Sequence, residues 1–372
     1  MYVGNLLDSA GRKTGHKGNG TSTMAPQNTA LWLPKRGGTF QIGPAPYTTP
    51  GPDEVVVRTR AVAVNLVDGL PGWAYRLILP WLKFPTIVGG DVAGEVVEVG
   101  ANVTRITPGQ RVLGLAVGAE KSRNRAAEGA FQHYVVLMQH MVSPIPDSLP
   151  FEQAAVLPLT LSTAATGLFQ RDHLGLALPT SNPTEQRQTV LIWGGSTSVG
   201  SNAIQLVKNA GYRVLTTASP RNFDYVRSLG AAAVADYHSP TVVDEIVAQI
   251  GDNPLAGTLA IGSGSVHAAV SIASQTTGSK KIAAAQPAFL TRIQSIGAHR
   301  KGVTTSSIWG GTLKDNEVGP GIFVEFLPTA LTTGTYRAAP EATVVGIGLD
   351  LIPDALQQLR SGVSASKLVV TI

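Results

Sequence analysis

Cysteine is absent from all 372 residues of this chain, and the absence excludes two kinds of site. No disulfide bond can form, and no zinc site built on thiolate ligands can assemble. The seven histidines are scattered along the sequence without the spacing of metal ligands. We therefore expect no metal site, and we expect the histidines to be ordinary surface or core residues.

Charge is also scarce, because charged residues make up 14% of the chain against 43% hydrophobic residues. No apolar run reaches the length of about 18 residues that a membrane span needs, so no membrane association is expected. The net charge of +5 is modest, and no dense basic stripe carries interleaved aromatic residues, so nucleic acid is not an expected partner. We expect a well-buried cytoplasmic protein, and its length predicts two domains.

The amino-terminal stretch is polar and glycine-rich, and it contains Arg12, Lys13 and Lys17 but no apolar core of a secretory signal. We interpret residues 1–23 as a disordered tail or as the product of a start codon placed too far upstream. A mitochondrial presequence is the alternative because the tail is basic and poor in acids, although no amphipathic helical pattern supports it.

Short runs of β-branched residues between turns dominate residues 24–160. Residues 54–64 are typical of a strand, and residues 91–100 predict a second strand that is broken at Gly94. Turns at this spacing predict a β-rich, barrel-like domain.

From about residue 160 the sequence alternates between apolar strands and amphipathic helices. Residues 189–193 are apolar throughout, as in a strand buried on both faces of a parallel sheet. The later elements are predicted as strands at 213–217 and 232–235 and helices at 201–210, 222–229 and 242–250. This alternation predicts a doubly wound α/β domain. We expect this domain to span 161–322, with turns returning from 323 and a final strand taking residues 323–372 back to the first domain.

A glycine-rich and serine-rich loop follows the strand predicted at 189–193. Glycines let the backbone approach a pyrophosphate, and the N-terminus of the next helix offers free N–H groups to the anion. The loop matches the pattern G-x-G-x-x-G at two glycines but has Thr197 in place of the middle one. A tight turn without a ligand is the alternative. The predicted contacts are Gly195, Ser196, Thr197, Ser198, Val199 and Gly200.

The residues after the strand predicted at 213–217 indicate which dinucleotide is bound. NAD sites usually place an acid here to bond the ribose 2′-hydroxyl, and none is present. Ser219 can donate to a 2′-phosphate, Arg221 can add charge and a planar fork, and Asn222 lies beside them. We therefore predict NADPH, with a solvated helix-start residue as the alternative for Arg221.

Two motifs in this order and separation resemble the medium-chain dehydrogenase/reductase superfamily, one at residues 89–96 and the other at 189–200. The resemblance runs from about Met24 to the C-terminus. It is closest to the fungal zinc-independent branch, which includes quinone-oxidoreductase-like proteins and trans-acting enoyl reductases of polyketide pathways, and residues 218–224 and 364–369 resemble that branch in particular. The fold implied is a GroES-like β-rich catalytic domain plus a Rossmann doubly wound parallel sheet.

The resemblance also implies the chemistry. Zinc-dependent members carry a cysteine ligand after the early strand and a His-Glu pair in the first motif, whereas this chain has Val64-Asn65 and Gly90-Asp91 there. Without a Lewis acid, reduction of an activated C=C bond is easier than oxidation of an alcohol, because the charge that collects on the carbonyl oxygen needs only hydrogen-bond donors. Asn65 and Asp68 are implied beside the nicotinamide, with Asn65 as an oxyanion donor or, alternatively, a turn residue.

Further cofactor contacts follow from the resemblance alone. Tyr237 is implied at the adenosine end, Ile261 and Gly262 beneath the nicotinamide ribose, Ala284 and Ala285 at the carboxamide, and Val363 and Ser364 on the segment that returns to the cleft. No proton donor is evident in the sequence, and solvent is an open source.

Three functions stay open at this point. The first is NADPH-dependent reduction of a small enone, quinone or enoyl thioester. The second is reduction of intermediates carried on a polyketide synthase, which would then be the partner. The third is a non-catalytic NADPH-binding sensor.

Overall fold

The computed structural model describes residues 26–372, so the tail predicted at 1–23 lies outside the described residues. Within them the strands form three sheets, of three, six and seven strands. No helix in residues 26–372 is long and apolar enough to cross a membrane.

Short strands dominate the first half of the described chain. They are β1 (Asn28–Leu33), β2 (Gln41–Ala45), β3 (Glu54–Ala63), β4 (Thr86–Ile87), β5 (Asp91–Val99), β6 (Arg111–Leu115), β7 (Tyr134–Met138) and β8 (Val142–Pro144), with the helices α1 (Gly72–Ile78) and α2 (Phe151–Ala154). Short 3-10 helices cover Leu66–Gly69, Ala126–Glu128 and Gln139–Met141.

The break predicted at Gly94 is absent, because β5 runs through this residue without interruption. The irregularity lies instead in the partner strand β3, whose register shifts between Thr59 and Ala61. Glycine is required here for close approach, since a Cβ at Gly94 would lie 2.1 Å from the carbonyl oxygen of Arg58.

Helices and strands then alternate. They are α3 (Pro158–Phe169), β9 (Thr189–Trp193), α4 (Ser198–Asn209), β10 (Arg213–Ala218), α5 (Phe223–Leu229), β11 (Ala233–Asp236), α6 (Val242–Ile250), β12 (Leu255–Ile261), α7 (Ser265–Gln275), β13 (Lys281–Ala285), α8 (Ala288–His299) and β14 (Thr304–Ser307). All six strands pair in parallel, in the order β11-β10-β9-β12-β13-β14. This is the predicted doubly wound sheet, and β9 is buried along its whole length.

The remaining elements are α9 (Val318–Pro320), α10 (Leu327–Thr333), β15 (Glu341–Ile347), α11 (Ile352–Arg360) and β16 (Ser366–Thr371), with a π-helical segment at Gly321–Phe326 between α9 and α10. The turns predicted from residue 323 are therefore wrong in their first part. Helix forms there because Ile322, Phe323, Phe326 and Leu327 share one face and are at most 5% exposed.

The last strand lies in the sheet of the first half of the chain. β16 pairs antiparallel with β3 and parallel with β15, and the seven-stranded sheet has the order β15-β16-β3-β5-β6-β8, with β7 beside β3. The main apolar core is continuous from Ala61 and Leu113 of this sheet, through Leu161 of α3, to Val190 of the parallel sheet. The two halves thus share one core, which fixes the cleft between them.

Candidate functional site

The carboxyl edge of the parallel sheet gathers most of the predicted cofactor residues. The register pairs Ala218 with Asp236 and Ile261 with Ala285, so neighbouring strands end level with one another. The segments that follow these ends therefore lie in one row: Tyr237, Ser219, the loop at 194–200, Gly262 and Ala285. Open α/β sheets bind ligands in the crevice outside this edge.

The glycine loop is pressed against its neighbours so closely that side chains are excluded. A Cβ at Gly195 would lie 2.1 Å from Thr216 Oγ1, and a Cβ at Gly200 would lie 2.2 Å from the carbonyl oxygen of Gly194. Gly194 itself has a φ of +89°, which favours glycine. This bare backbone at a helix N-terminus fits the pyrophosphate of a dinucleotide.

Thr197, which replaces the middle glycine, caps helix α4. Its Oγ1 accepts a hydrogen bond from the amide of Gly200 at 3.0 Å and donates to the carbonyl of Gly194 at 2.8 Å. Because of this cap, α4 begins at Ser198, three residues earlier than predicted. The amides of Ser198 and Val199, at the first two helical positions, have no carbonyl partner inside the helix.

Polar groups converge at the end of β10. The hydroxyls of Ser219 and Tyr237 are 3.0 Å apart, and Asn222 Nδ2 donates to Ser364 Oγ at 3.1 Å. Arg221 is exposed and forms no ion pair within the described residues. The structure thus brings together five residues predicted from distant parts of the sequence.

The other predicted contacts lie at the ends of β12 and β13 and beside Ser364, and fewer hydrogen bonds hold them in place. Gly262 has a φ of +92°, and its carbonyl accepts a bond from Ser265. The carbonyl of Ala284 accepts from the amide of Ile308 at 2.9 Å, whereas Ala285 follows at the strand end. Val363 is 39% exposed next to Ser364. Their roles as cofactor contacts stay predictions.

A buried ionic cluster lies beneath Asn65. Lys367 Nζ is 3.1 Å from Asp91 Oδ2 and donates to Asn65 Oδ1 at 2.5 Å. Asn65 Nδ2 donates to Asp91 Oδ2 at 2.8 Å and to Asp68 Oδ2 at 3.2 Å. Asp91 is fully buried and Asp68 and Lys367 are 4% exposed. We call these four residues the Lys367 cluster.

Three adjacent strands assemble the Lys367 cluster. Asn65 follows β3, Asp91 begins β5 and Lys367 is the second residue of β16, and β3 lies between the other two in the sheet. Asp91 Oδ1 also accepts from the amide of Leu159 at 2.6 Å, near the N-terminus of α3. A carboxylate is stabilised there by the helix dipole and the free amide, so Asp91 links the two halves of the molecule.

Asn65 has no free side-chain donor among the described residues. Its oxygen accepts from Lys367, and its two amide hydrogens serve Asp91 and Asp68. Donation to a substrate oxygen would require Asn65 to give up the longer bond, to Asp68. The oxyanion role predicted for Asn65 stays a prediction, and the geometry adds that Lys367 and Asp91 orient its amide.

The carboxyl of Asp68 titrates in an unusual range. Burial and the nearby Asp91 charge raise the pKa of Asp68 to about 7, against the bonds from Asn65 and the charge of Lys367, which lower it. The hydroxyl of Tyr75, one of the polar groups of the first domain, donates to the carbonyl of Asp68 at 3.0 Å and is itself buried. Asp68 therefore holds a proton over much of the acidic range.

Asp68→Asn is expected to remove a pH dependence of stability. Between about pH 4 and pH 7 folded Asp68 keeps a proton that the unfolded chain has lost, so the free energy of unfolding falls as the pH rises through this window. The contribution is on the order of 4 kcal/mol for a shift of this size in a buried group. Urea unfolding of the parent protein and of Asp68→Asn, from about pH 4 to about pH 8, measures the slope.

Exposed Asp252 provides the control. Asp252→Asn should leave the slope of the parent protein unchanged. Equal slopes for Asp68→Asn and the parent would contradict the raised pKa.

Two features of the site were missed by sequence reasoning. Lys367 and Asp91 each appeared within a motif, but no pattern indicated that they pair, since 276 positions separate them. The second is a bond across the cleft, from Trp309 Nε1 to both carboxylate oxygens of Glu120 at 3.0 Å. The pKa of the Glu120 carboxyl is raised by burial, and the hydrogen bond from Trp309 offsets only part of this rise.

Comparison with known proteins agrees with this architecture. Residues 51–147 match the alcohol dehydrogenase GroES-like domain. The chain is 45% identical over 354 residues to the dehydrogenase azaJ of Aspergillus niger, covering 93% of this chain and 99% of azaJ. It is 36% identical over 350 residues to the trans-enoyl reductase himH of Aspergillus japonicus, covering 93% and 97% respectively.

A solved structure has the same fold. The quinone oxidoreductase of Coxiella burnetii superposes with a TM-score of 0.68 at 22% identity, over 93% of this chain and 100% of that one. The parallel six-stranded sheet beside the seven-stranded sheet and the near full-length relatives lead to one assignment. The chain belongs to the medium-chain dehydrogenase/reductase superfamily, as an oxidoreductase of its enoyl reductase-like branch.

Proposed function

We propose that this protein uses NADPH to reduce an activated C=C bond in an enone, a quinone or an enoyl thioester, and that it does so without zinc. The observation that carries the proposal is the Lys367 cluster, in which an ammonium group is bonded to Asn65 and Asp91. Asn65 follows the early strand and Asp91 lies in the motif at 89–96, and these are the two places where zinc-dependent members of the superfamily carry zinc ligands.

The donor set at this place suits an ammonium group better than a zinc ion. Both oxygens of Asp91 are engaged, one by Lys367 and Asn65 and the other by the amide of Leu159. Zinc prefers thiolate, imidazole and carboxylate ligands, and no group of three such side chains within residues 26–372 is arranged to hold a metal. Lys367 therefore supplies the positive charge at this site.

When bound, the cofactor supplies a hydride. The protein has to bind the cofactor, orient the substrate and stabilise the charge that forms on the carbonyl oxygen. The amide groups at the start of α4 and the bare glycine backbone bind the pyrophosphate. Lys367 polarises the amide of Asn65, because it donates to the amide oxygen. A proton from solvent completes the reduction.

Ser219, Tyr237 and Arg221 surround the 2′-phosphate of NADPH in this proposal. The two hydroxyls are already 3.0 Å apart, Arg221 is uncommitted within the described residues, and the residues at 219–223 that follow β10 include no acid. A guanidinium bonded to a phosphate contributes about 1.5–3 kcal/mol.

Arg221→Ala is therefore expected to weaken NADPH binding by about tenfold or more and to leave NADH binding within about twofold. Fluorescence titration with each cofactor measures the two affinities. Arg227→Ala, which removes an exposed arginine of α5 that already pairs with Asp224, is the matched control and should change neither. Equal affinity of the parent protein for NADH and NADPH would remove the phosphate assignment.

Oxidation of NADPH against three substrates tests the reaction itself. A small quinone, a simple enone and an enoyl thioester cover the proposed classes, and turnover with at least one is expected. Tight NADPH binding with no turnover of any would contradict reduction of small substrates. It would leave the non-catalytic sensor or a substrate that must be presented by a carrier.

Reduction of a carrier-bound enoyl thioester is the second candidate. It is favoured by relatives such as himH, which is named a trans-enoyl reductase and aligns along 97% of its length. The partner is then a polyketide synthase that presents the intermediate. The same thioester offered free and on a carrier domain distinguishes the two candidates, because a carrier-dependent enzyme has a much lower KM for the second form.

A further inference from the structure

Helix α3 runs between the two halves of the molecule, and one side of it is less covered than the rest. Ten of its twelve residues are buried, and the two half-buried exceptions are Leu159 and Thr163. Residues four positions apart lie on the same side of a helix, about 6 Å from each other along its axis. Leu159 and Thr163 therefore mark one open stripe on α3.

Each end of this stripe meets a different part of the structure. The amide of Leu159 donates to Asp91 of the Lys367 cluster at 2.6 Å. One turn further along, a Cβ at Gly310 would lie 2.7 Å from Thr163 Oγ1. The Lys367 cluster and the segment 309–311 are thus about one helical turn apart, with the open stripe of α3 between them.

Two tryptophans, one from each half of the molecule, close the end of the cleft at the segment 309–311. Trp309 follows β14 and Trp81 follows α1, and their rings meet edge to face with centroids 6.5 Å apart. Trp309 Nε1 donates to both carboxylate oxygens of Glu120 at 3.0 Å. Trp81 Nε1 donates to the carbonyl of Ala119 at 3.0 Å. We call Trp81, Glu120 and Trp309 the Trp309 wall.

The Trp309 wall lies beside the residues predicted at the nicotinamide carboxamide. The amide of Ile308 donates to the carbonyl of Ala284 at 2.9 Å, and Trp309 is the next residue. Ala284 and Ala285 are the predicted carboxamide contacts, at the carboxyl edge of the sheet. In the proposed function, an acceptor placed against the nicotinamide therefore has Asn65 on one side and the Trp309 wall on the other.

Both indoles of the Trp309 wall present apolar surface to this space. Their N–H groups already donate to Glu120 and Ala119, and both rings are only half-buried. A site with polar groups at one end and apolar rings at the other orients a ligand that has the same division. Aromatic rings also attract other flat rings beyond the apolar area that the pair buries.

Glu120 holds the indole of Trp309 in its present orientation. The bond from the indole N–H is charge-assisted, so rotation of the ring into the cleft would break a strong hydrogen bond. The backbone after Trp309 is pressed against the same carboxylate, because a Cβ at Gly311 would collide with it. The loop that carries Glu120 begins next to the Lys367 cluster, since Leu115 pairs with Asp91.

We propose that the Trp309 wall makes the enzyme selective for flat, ring-bearing acceptors, whose ring packs against Trp309, and that Glu120 is the positioning residue for this indole. The substrate class is then an aryl-substituted enone or a quinone, and not a short open-chain enone. The proposal rests on the proposed function for the reaction and names the substrate class within it. Trp309 contacts the acceptor directly, whereas Glu120 acts only through Trp309.

Two enones that differ in a single group test the proposal. Benzylideneacetone carries a phenyl ring on the C=C bond where ethylideneacetone carries a methyl group. Trp309→Leu is expected to lower kcat/KM about tenfold for benzylideneacetone and no more than about threefold for ethylideneacetone, because leucine is apolar but not flat. Trp32→Leu is the control and should change neither value, since this half-buried indole lies on β1 and donates to the carbonyl of Pro44.

The ratio of the two kcat/KM values tests the role of Glu120. Glu120→Leu removes the acceptor of the Trp309 N–H and should lower the preference for benzylideneacetone. Glu120→Gln keeps an oxygen that accepts this bond and should retain the preference within about twofold. A merely structural role would lower both kcat/KM values together and leave their ratio unchanged. Equal losses for the two enones in Trp309→Leu would overturn the selectivity, and a Glu120→Gln variant as impaired as Glu120→Leu would overturn the positioning role.

Binding of an unreactive ligand separates this proposal from the proposed function. Benzylacetone, the saturated product of benzylideneacetone, is titrated calorimetrically into the parent protein, Trp309→Leu and Trp32→Leu, each with and without NADP⁺. If neither enone is reduced, the proposed reaction fails, but weaker binding in Trp309→Leu alone still supports the Trp309 wall. In that case no binding to the parent protein, or equal binding to all three proteins, refutes it. If both enones are reduced with equal losses in Trp309→Leu, the reaction stands and the Trp309 wall does not.

Discussion

Gly200→Ala is expected to weaken cofactor binding strongly while the protein still folds. The added Cβ would lie 2.2 Å from the carbonyl oxygen of Gly194 and 2.7 Å from Gly195 Cα, and both are backbone atoms. The loop at 194–200 and the first turn of α4 must therefore move apart, and this displaces the amides that bind the pyrophosphate. A loss of about 100-fold, roughly 2.8 kcal/mol, is expected.

Gly195→Ala is a useful comparison with Gly200→Ala, because the atom nearest to its added Cβ belongs to a side chain and not to the backbone. Its Cβ would lie 2.1 Å from Thr216 Oγ1. We expect cofactor binding to fall in this variant also, and a second change, Thr216→Ala, to restore part of it. No such rescue is available to Gly200→Ala, since its clash is with backbone.

Gly43→Ala is the control, since the nearest atom to a Cβ at Gly43 is 3.6 Å away. Cofactor titration gives the affinities and thermal unfolding checks that each variant folds. Cofactor affinity of Gly200→Ala within about twofold of the parent would exclude the loop as the pyrophosphate site.

Lys367→Met is expected to cost the largest amount of stability of any single change at the site. Asp91 is fully buried and would lose its only cationic partner within residues 26–372, and removing one member of a buried pair costs about 3–5 kcal/mol. Methionine has a similar length, so packing is largely retained. Urea unfolding measures the loss, and exposed Lys83→Met should stay within about 0.5 kcal/mol of the parent protein.

The double variant Asp91→Asn/Lys367→Met distinguishes loss of pairing from loss of packing. Most of the stability should return, because no uncompensated charge is left and the amide of Asn65 can rotate to accept from Asn at position 91. If the double variant is as unstable as Lys367→Met, the effect comes from packing. Activity should not return with stability, because Asn65 is no longer polarised by a cation.

The regular elements with strong apolar patterns were predictable from sequence. Residues 189–193 form β9 and residues 242–250 form α6 at the predicted boundaries. In both elements the pattern of apolar residues matches the burial in the structure. β9 is apolar on two faces because helices cover both sides of the sheet, and α6 has one apolar stripe that faces the core.

Elements whose form depends on distant partners were predicted less well. The start of α4 was misplaced because the side chain of Thr197, and not an apolar residue, defines it. The prediction of a break at Gly94 was wrong because this glycine lets the two strand backbones come close at Arg58 and does not form a turn. The helix after residue 318 forms because the shared core receives its apolar face.

The sequence by itself determined the family, the glycine loop, the absence of thiolate chemistry and the acid-free end of β10, since each depends on residue types at short spacing. Only the tertiary structure decided that Lys367, Asp91 and Asn65 form one cluster, and that Ser219, Tyr237, Asn222 and Ser364 share one end of the cleft. Strand order sets these contacts. β16 lies beside β3 and β3 beside β5, so residues far apart along the chain are brought within hydrogen-bonding distance.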